Sequence, residues 1–518
     1  MSVHTDTDAR SIALRHGLPY IDLRETRISY EACEVVPARV LERIVAVPYA
    51  IEGDLLHVAI ADPENVQAID ELRLATRLNV SLAVASRSDI QAEISRRTRL
   101  AGQDAAGAEF LDTMSTVVEQ DLEVEDGISD APLVRLVNSI VFQAAEDGAS
   151  DVHFAPQEDA LVIRVRIDGV LHEVQRIPKR LTAGVTTRLK VLAKLDIAER
   201  RKPQDGRITL NAAAAGRLLD IRVATLPTVY GESVVMRLLD KSKEAPTVDA
   251  LGLSEEMRKH FTQVIHRPTG ALLVTGPTGS GKSTTLYAVL AEILRPELNI
   301  ITVEDPVEYR LAGVNQVQIN VRAGLTFAAA LRSILRSDPD IVMVGEIRDP
   351  ETAKISIEAA LTGHFVLSTL HTNDAPGTLT RLNEMGVEPY LTGSAVSAVL
   401  AQRLVRKLCS CSELYSPTMD ELLRAHIAPA AAAACEGMML YRKRGCPACA
   451  RTGFRGRIGI FQLLAMSETV ERLAARKASR EEIERAAIEE GMLTLWDDGL
   501  AKVSAGLTSI DELARVCL

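Results

Sequence analysis

The stretch Gly276-Pro-Thr-Gly-Ser-Gly-Lys-Ser283 constrains the fold of this chain more than any other feature. It fits G-x-x-x-x-G-K-[ST], a pattern whose chemistry requires a strand before it and a helix after it. Ala271–Val274 is a short apolar run that reads as the strand, and Thr284–Leu294 reads as the helix. In that setting the glycines let backbone N–H groups close around phosphate oxygens, and the helix N-terminus adds partial positive charge. A chance glycine-rich turn would not carry both flanks. The candidate nucleotide contacts are Gly276, Pro277, Thr278, Gly279, Ser280, Gly281, Lys282, Ser283 and Thr284. In such a loop the lysine, here Lys282, reaches the β- and γ-phosphates, and the hydroxyl of Ser283 ligates Mg2+.

The surrounding pattern agrees. Apolar runs at Ile300–Val303, Ile341–Val344 and Phe365–Ser368 are short and continuous, as strands buried on both faces of a largely parallel sheet are. Helical stretches lie between them, so the class is α/β. Asp340-Ile-Val-Met-Val-Gly-Glu346 is an apolar strand ending in an acid, the shape of a Walker B element. Glu346 then stands beside the phosphates and can polarise the attacking water. Ile301-Thr-Val-Glu304-Asp305-Pro-Val-Glu308 places three acids after another strand. They hold Mg2+ through water, with Asp305 the candidate, or share the base role with Glu346, with Glu304 the candidate. His364 and His371 bracket the next strand, and a strand-end histidine can donate to the γ-phosphate or report its loss. His371 is favoured of the two.

A chain of 518 residues exceeds one compact core. Residues 1–100 read as a small N-terminal α/β domain, with a strand at Leu55–Ile60 and a helix at Pro63–Thr76. Residues 101–129, of low hydrophobicity and one-signed charge, read as an acidic flexible linker with a short helix near Phe110–Val118. Nine acids and no Lys or Arg fall between Ala101 and Asp130, against a net charge of −11 for the whole chain. The acidity therefore belongs mostly to one segment, and no overall basic footprint for nucleic acid exists.

Residues 130–242 read as a second domain. It has helices at Ala131–Ala145 and Leu181–Leu195, and strands at Leu161–Ile167, Leu218–Ala224 and Ser233–Leu239. Asp168-Gly169 signals a hairpin turn. Lys241–Val248 reads as a second linker, and residues 243–518 as the nucleotide-binding domain with C-terminal helices over 466–518. Ser479-x-x-Glu482 is a capping box. No apolar run is long enough to span a membrane, and the N-terminus lacks the apolar core of a secretory signal, so a cytoplasmic location is expected.

Seven cysteines without a disulfide context point to metal or free thiols. Cys409-Ser-Cys411 and Cys446-Pro-Ala-Cys449 form two pairs within residues 405–455, and four thiolates suit a closed tetrahedral Zn2+ site. The first pair is one residue shorter than the usual C-x2-C. Cys435 is a bystander or a substitute ligand, and Cys33 and Cys517 read as small apolar residues.

At these residues the chain resembles the secretion ATPase family of type II secretion and type IV pilus systems (the GspE/PilB/PilT superfamily). The resemblance covers most of the chain. It rests on Gly148-Ala-Ser-Asp-Val-His-Phe-Ala-Pro156, Leu195-Asp-Ile-Ala-Glu-Arg-Arg-Lys-Pro-Gln-Asp-Gly-Arg207 and Asp220-Ile-Arg-Val-Ala-Thr-Leu-Pro-Thr228, together with the phosphate loop, the acidic box, the Walker B strand and the histidine box. It implies a hexameric ring of chains with a RecA-like motor domain, a PAS-like middle domain and a cysteine-rich zinc subdomain. It further implies that Arg207, Arg222 and Arg237 of the middle domain reach nucleotide on a motor domain. The N-terminal domain, with Gly17-Leu-Pro-Tyr-Ile-Asp-Leu23, looks like the type II version. That version docks on the cytoplasmic part of a GspL-like inner-membrane protein beside a polytopic GspF-like platform protein. The implied activity is ATP hydrolysis that drives pseudopilus assembly and protein export, with assembly of a type IV pilus as the alternative.

Overall fold

The computed structural model describes residues 3–94 with gaps within 24–37 and 54–92, residues 131–212 and 217–240, and residues 247–517 apart from 447, 448, 450 and 451. The acidic segment 101–129, most of the helix expected at Pro63–Thr76, most of the Lys241–Val248 linker and Cys33 lie outside the described residues. The chain divides into two compact units, Met1–Ser242 and Lys243–Leu518.

In the first unit, β1 (Ala46–Glu52), β2 (Leu55–Ile60) and β3 (Asn79–Val84) form a three-stranded sheet in that order. β1 pairs antiparallel with β2, and β2 parallel with β3. Leu56, Val58 and Ile60 alternate into one small core while Ala59 turns to another, which is the period-2 pattern of a strand covered on both faces.

A second sheet follows, of β4 (Asp151–Pro156), β5 (Ala160–Ile167), β6 (Val170–Pro178), β7 (Gln204–Ala212), β8 (Arg217–Thr228) and β9 (Gly231–Asp240). Its order is β6-β5-β4-β9-β8-β7, and every pairing is antiparallel. Val152, Phe154, Ile221, Val223, Val234 and Met236 turn to one face. There they pack with Val137, Val141, Val185 and Leu189 from helices Ala131–Glu146 and Thr182–Leu192. Asp168 and Gly169 both take positive φ, 49° and 85°, and close the β5–β6 hairpin as expected. The second helix stops before the expected Leu195. Lys194 enters left-handed geometry at φ 55°, and the Leu195 N–H returns to the Lys190 carbonyl.

The second unit holds a seven-stranded sheet: β10 (Gly270–Thr275), β11 (Ile300–Glu304), β12 (Asn315–Gln318), β13 (Ile341–Val344), β14 (Phe365–Leu370), β15 (Val396–Leu408) and β18 (Phe454–Ala465). Two short strands, β16 (Glu413–Tyr415) and β17 (Leu440–Arg442), pair with each other outside it. The order is β12-β11-β13-β14-β10-β15-β18, parallel up to β15, with β18 antiparallel to β15. Ala271 and Leu273 of β10 enter one core while Leu272 and Val274 enter the other. Helices cover both faces: Leu286, Val289 and Leu290 of Lys282–Ile293 on one side, Ala353 and Ile357 of Pro350–Leu361 on the other. This is the α/β class read from the sequence. Beyond β18, helices run from Glu468 to Cys517, and Ser479 and Glu482 close their capping box.

Candidate active site

Parallel strands share a direction, so their carboxyl ends lie along one edge of the sheet, where ligands of open α/β sheets bind. Pairing of Thr275 with Leu370 and of Val303 with Val344 brings the loops after β10, β11, β13 and β14 to that edge. The phosphate loop, the acidic box, the Walker B turn and His371 are those loops.

The loop from Gly276 to Gly281 turns into the helix Lys282–Ile293, with Gly281 at its N-cap and φ 88°. Gly276 takes φ 145°, and a Cβ there would lie 2.4 Å from the Gln402 carbonyl oxygen. Only glycine fits such an approach. Gln402, buried on β15, braces the loop from the other side. Its amide donates to the Ser280 carbonyl at 2.6 Å and accepts from Thr285 Oγ1 at 2.8 Å. Gln402 was not singled out in the sequence; its signal is a lone amide within the apolar run of Val396–Val405.

The residues fit a phosphate group. Ser280 is buried and its Oγ has no hydrogen-bond partner among the described residues. Lys282 is buried too, and its Nζ donates to the carbonyls of Gly276 and Pro277, at 2.8 and 3.1 Å, closing the cradle on itself. Burial pulls its pKa down to about 8, against the opposing field of Glu346.

Glu346 lies two residues beyond β13. Its turn is pinned by Ser368 Oγ to the Val344 carbonyl and Thr369 Oγ1 to the Gly345 carbonyl, each 2.8 Å, and by Ile347 N–H to the Thr369 carbonyl at 2.9 Å. Glu346 Oε2 forms an ion pair with Arg348 Nε at 2.6 Å and lies 3.6 Å from His371 Nε2. Arg348 is a further side chain the sequence did not flag. His364 sits at the opposite, amino end of β14, where its Nδ1 meets the Ala359 carbonyl at 3.0 Å and secures a helix end.

The acidic box divides. Asp305 is exposed, whereas Glu304 is buried, its carboxylate taken up by Tyr287, Thr302 and Gln316. A buried carboxylate already held by three protein donors is poorly placed to take a proton from water, so the geometry favours Glu346 over Glu304 for the base role.

In the first unit, Arg207, Arg222 and Arg237 stand opposite one another on β7, β8 and β9, and Asp151 and Arg166 continue the row on β4 and β5. The row lies on the face turned away from the helices and borders a concavity of about 510 Å3. Asp220 binds Arg207 through both carboxylate oxygens, and Asp151 accepts from Arg237 Nε at 3.0 Å.

β15 and β18 also explain the cysteines. Leu408 pairs with Phe454, so the segment after β15 meets the segment before β18. Cys409 and Cys446 lie 3.8 Å apart between sulfurs, Cys411 and Cys449 3.9 Å, Cys446 and Cys449 3.7 Å. A tetrahedron with Zn–S of about 2.3 Å has edges of about 3.8 Å, so the set fits zinc. The short first pair is accommodated in a tight turn closed by Ser412 N–H on the Cys409 carbonyl at 2.9 Å. Backbone N–H groups of Cys446 and Gly453 point at Cys449 Sγ at 3.1 and 3.3 Å, as they do toward a thiolate. Cys435 is buried in the neighbouring apolar cluster with Leu422 and Leu440.

The chain is similar to known proteins over most of its length. Residues 126–515 match the family described as Type II/IV secretion system protein, and residues 16–104 match the MshEN domain. Type II secretion system protein E of Xanthomonas campestris pv. campestris is 45% identical over 523 residues, covering 99% of this chain and 90% of that one. The type IV pilus assembly ATPase PilB of Myxococcus xanthus is 43% identical over 509 residues, covering 97% and 89%. Among solved structures, the Legionella pneumophila ATPase DotB superposes with a TM-score of 0.52 at 21% identity, covering 73% of this chain and 94% of that one. This likeness speaks for the fold.

Proposed function

The chain belongs to the type II/IV secretion system protein family of ATP-hydrolysing enzymes, and from that premise we propose that it is the motor of a type II secretion system. It works as a homohexamer in the cytoplasm, held at the inner membrane by a GspL-like cytoplasmic domain and a GspF-like platform protein. No helix among the described residues is long and apolar enough to cross a membrane, so attachment runs through partners in this reading.

The observation that carries the catalytic part is the single edge on which the phosphate loop, Glu346 and His371 converge. ATP binds with its phosphates in the cradle from Gly276 to Thr284. Lys282 leaves the Gly276 and Pro277 carbonyls for the β- and γ-phosphate oxygens. Ser283 and, through water, Asp305 would hold Mg2+, which would supply positive charge to the phosphates. Glu346 orients the attacking water, and His371, next to the same carboxylate, senses the γ-phosphate. Arg207, Arg222 and Arg237 complete the charge from the middle domain of another chain in the ring, because a guanidinium fork suits charge developing on the phosphoryl oxygens. Hydrolysis then reshapes the contact between middle and motor domains, which is the mechanical output.

The test is phosphate release by purified protein with Mg-ATP, with and without the GspL-like cytoplasmic domain. Lys282→Ala, Glu346→Gln and Arg222→Ala are each expected to abolish turnover, and the domain to raise it in the parent. Full activity of Arg222→Ala would remove the trans-arginine role. The identity to a pilus assembly ATPase, close to that of the secretion relative, keeps pilus assembly as the second reading. Loss of pili with intact protein export in a deletion strain would select it.

A further inference from the structure

We propose that Tyr287 is a positioning residue for hydrolysis, whose hydroxyl fixes the acidic turn after β11 to the helix that begins at Lys282. Tyr287 lies on that helix, five residues beyond Lys282, and is 1% exposed. Its Oη donates to Glu304 Oε2 and accepts from the backbone N–H groups of Glu308 and Tyr309, at 3.2 and 3.3 Å. Its ring meets the Tyr309 ring edge-on, with centroids 5.2 Å apart. Burial raises the phenol pKa further above its usual value, so the hydroxyl stays a donor at working pH.

Glu304 closes the network on its other oxygen. Oε1 accepts from Thr302 Oγ1 at 2.6 Å and from Gln316 Nε2 at 3.2 Å. Gln316 also donates to the Tyr309 carbonyl at 2.9 Å and accepts from the Leu311 N–H at 2.9 Å. The buried carboxylate is thus an anchor. What it anchors is the turn that carries Asp305, and the hydroxyl sets that turn's distance from Lys282 and Ser283, which ride on the same rigid helix.

The consequence is kinetic. Displacing a group that places metal and water by about 1 Å can cost about 100-fold in rate, while substrate affinity barely changes. Tyr287→Phe keeps the ring and removes the one atom that Glu304, Glu308 and Tyr309 share. This inference rests on the proposed site that includes Lys282 and Asp305, and the failure of that reading is separately visible: turnover surviving in Glu346→Gln or Lys282→Ala would remove the site itself.

The experiment uses the full chain. Phosphate release is followed against ATP and against Mg2+, with thermal melting as the measure of folding. For Tyr287→Phe the expected result is kcat lowered about tenfold or more, KM for ATP within about twofold, and half-saturation by Mg2+ moved to higher concentration. Melting of the variant in Mg2+ with ADP should shift upward less than that of the parent. Glu304→Gln should act in the same direction, and the double variant should be no slower than the slower single one, since both break one link. An unchanged kcat with only a lower melting temperature would overturn the proposal, as would fully multiplicative losses. Should Tyr287→Phe not fold, Gln316→Ala, at a half-buried position, carries the test. A higher Mg2+ requirement supports the link, and unaltered kinetics overturn it.

Discussion

Binding of nucleotide should draw a proton from solvent onto Lys282 in mildly alkaline solution. Its folded pKa is about 8, below the ordinary 10.5, because burial penalises the charged ammonium more than Glu346 restores it. A lysine with a depressed pKa binds fewer protons folded than unfolded between these two values. Its contribution to stability is therefore least below pH 8 and grows as pH rises toward 10.5, a span worth roughly 3 kcal/mol. Phosphates reverse the balance by giving the ammonium the counter-charge it lacks. At pH 9 the free protein carries about 0.1 proton at this site and the complex about 1, so uptake is about 0.9. At pH 7 uptake is about 0.1. The same arithmetic lowers affinity about tenfold between pH 7 and 9. Calorimetry of ADP binding with Mg2+, in two buffers of different ionisation enthalpy, reads the proton count directly. Lys282→Arg, which stays charged, should show neither the uptake nor the slope. Equal heats in both buffers at pH 9 would refute the reasoning.

Other outcomes follow from the same geometry. Elemental analysis of protein prepared without chelator should give about one zinc per chain, and Cys446→Ser should lose it and lower the melting temperature while ATP affinity stays; full metal content in that variant would exclude the four-sulfur site. Gln402→Ala leaves Thr285 and the Ser280 carbonyl without their buried partner, at about 1–3 kcal/mol each, and should raise KM for ATP several-fold; an unchanged KM would show that the loop holds its shape unaided. Asp498 accepts from Lys502 Nζ at 2.5 Å and from the Phe461 N–H at 2.8 Å, so Asp498→Ala strands a buried ammonium. It should cost about 3–5 kcal/mol in denaturant unfolding, and a loss below about 1 kcal/mol would mean that water reaches the lysine.

What could be read from the sequence was what neighbours along the chain determine. The phosphate loop, the strand before Glu346 and the capping box at Ser479 each depend on a few successive residues, and each stands where the pattern placed it. Gly276 is a partial exception: its motif gave the loop, but the reason for glycine is a carbonyl 126 positions away on β15. β15 itself escaped notice. Val396–Leu408 is a long apolar run with three late basic residues, which suits a helix or a strand equally until β18 is laid beside it. The cysteine site inherits that difficulty, since the spacing of its first pair looked short only while the turn after β15 was unknown.

The two candidate acids show the same division more sharply. Glu304 and Glu346 look alike in sequence, each following an apolar strand on the same sheet edge. Burial separates them. One meets a tyrosine, a threonine and a glutamine and becomes part of the scaffold. The other pairs with an arginine that is 69% exposed and lies beside a histidine at the same end of the sheet. Such a difference arises from Tyr287 and Gln316, which neither acid's own segment contains. A strand-end acid is therefore a candidate from its motif alone, and its task is decided by what the rest of the sheet places around it.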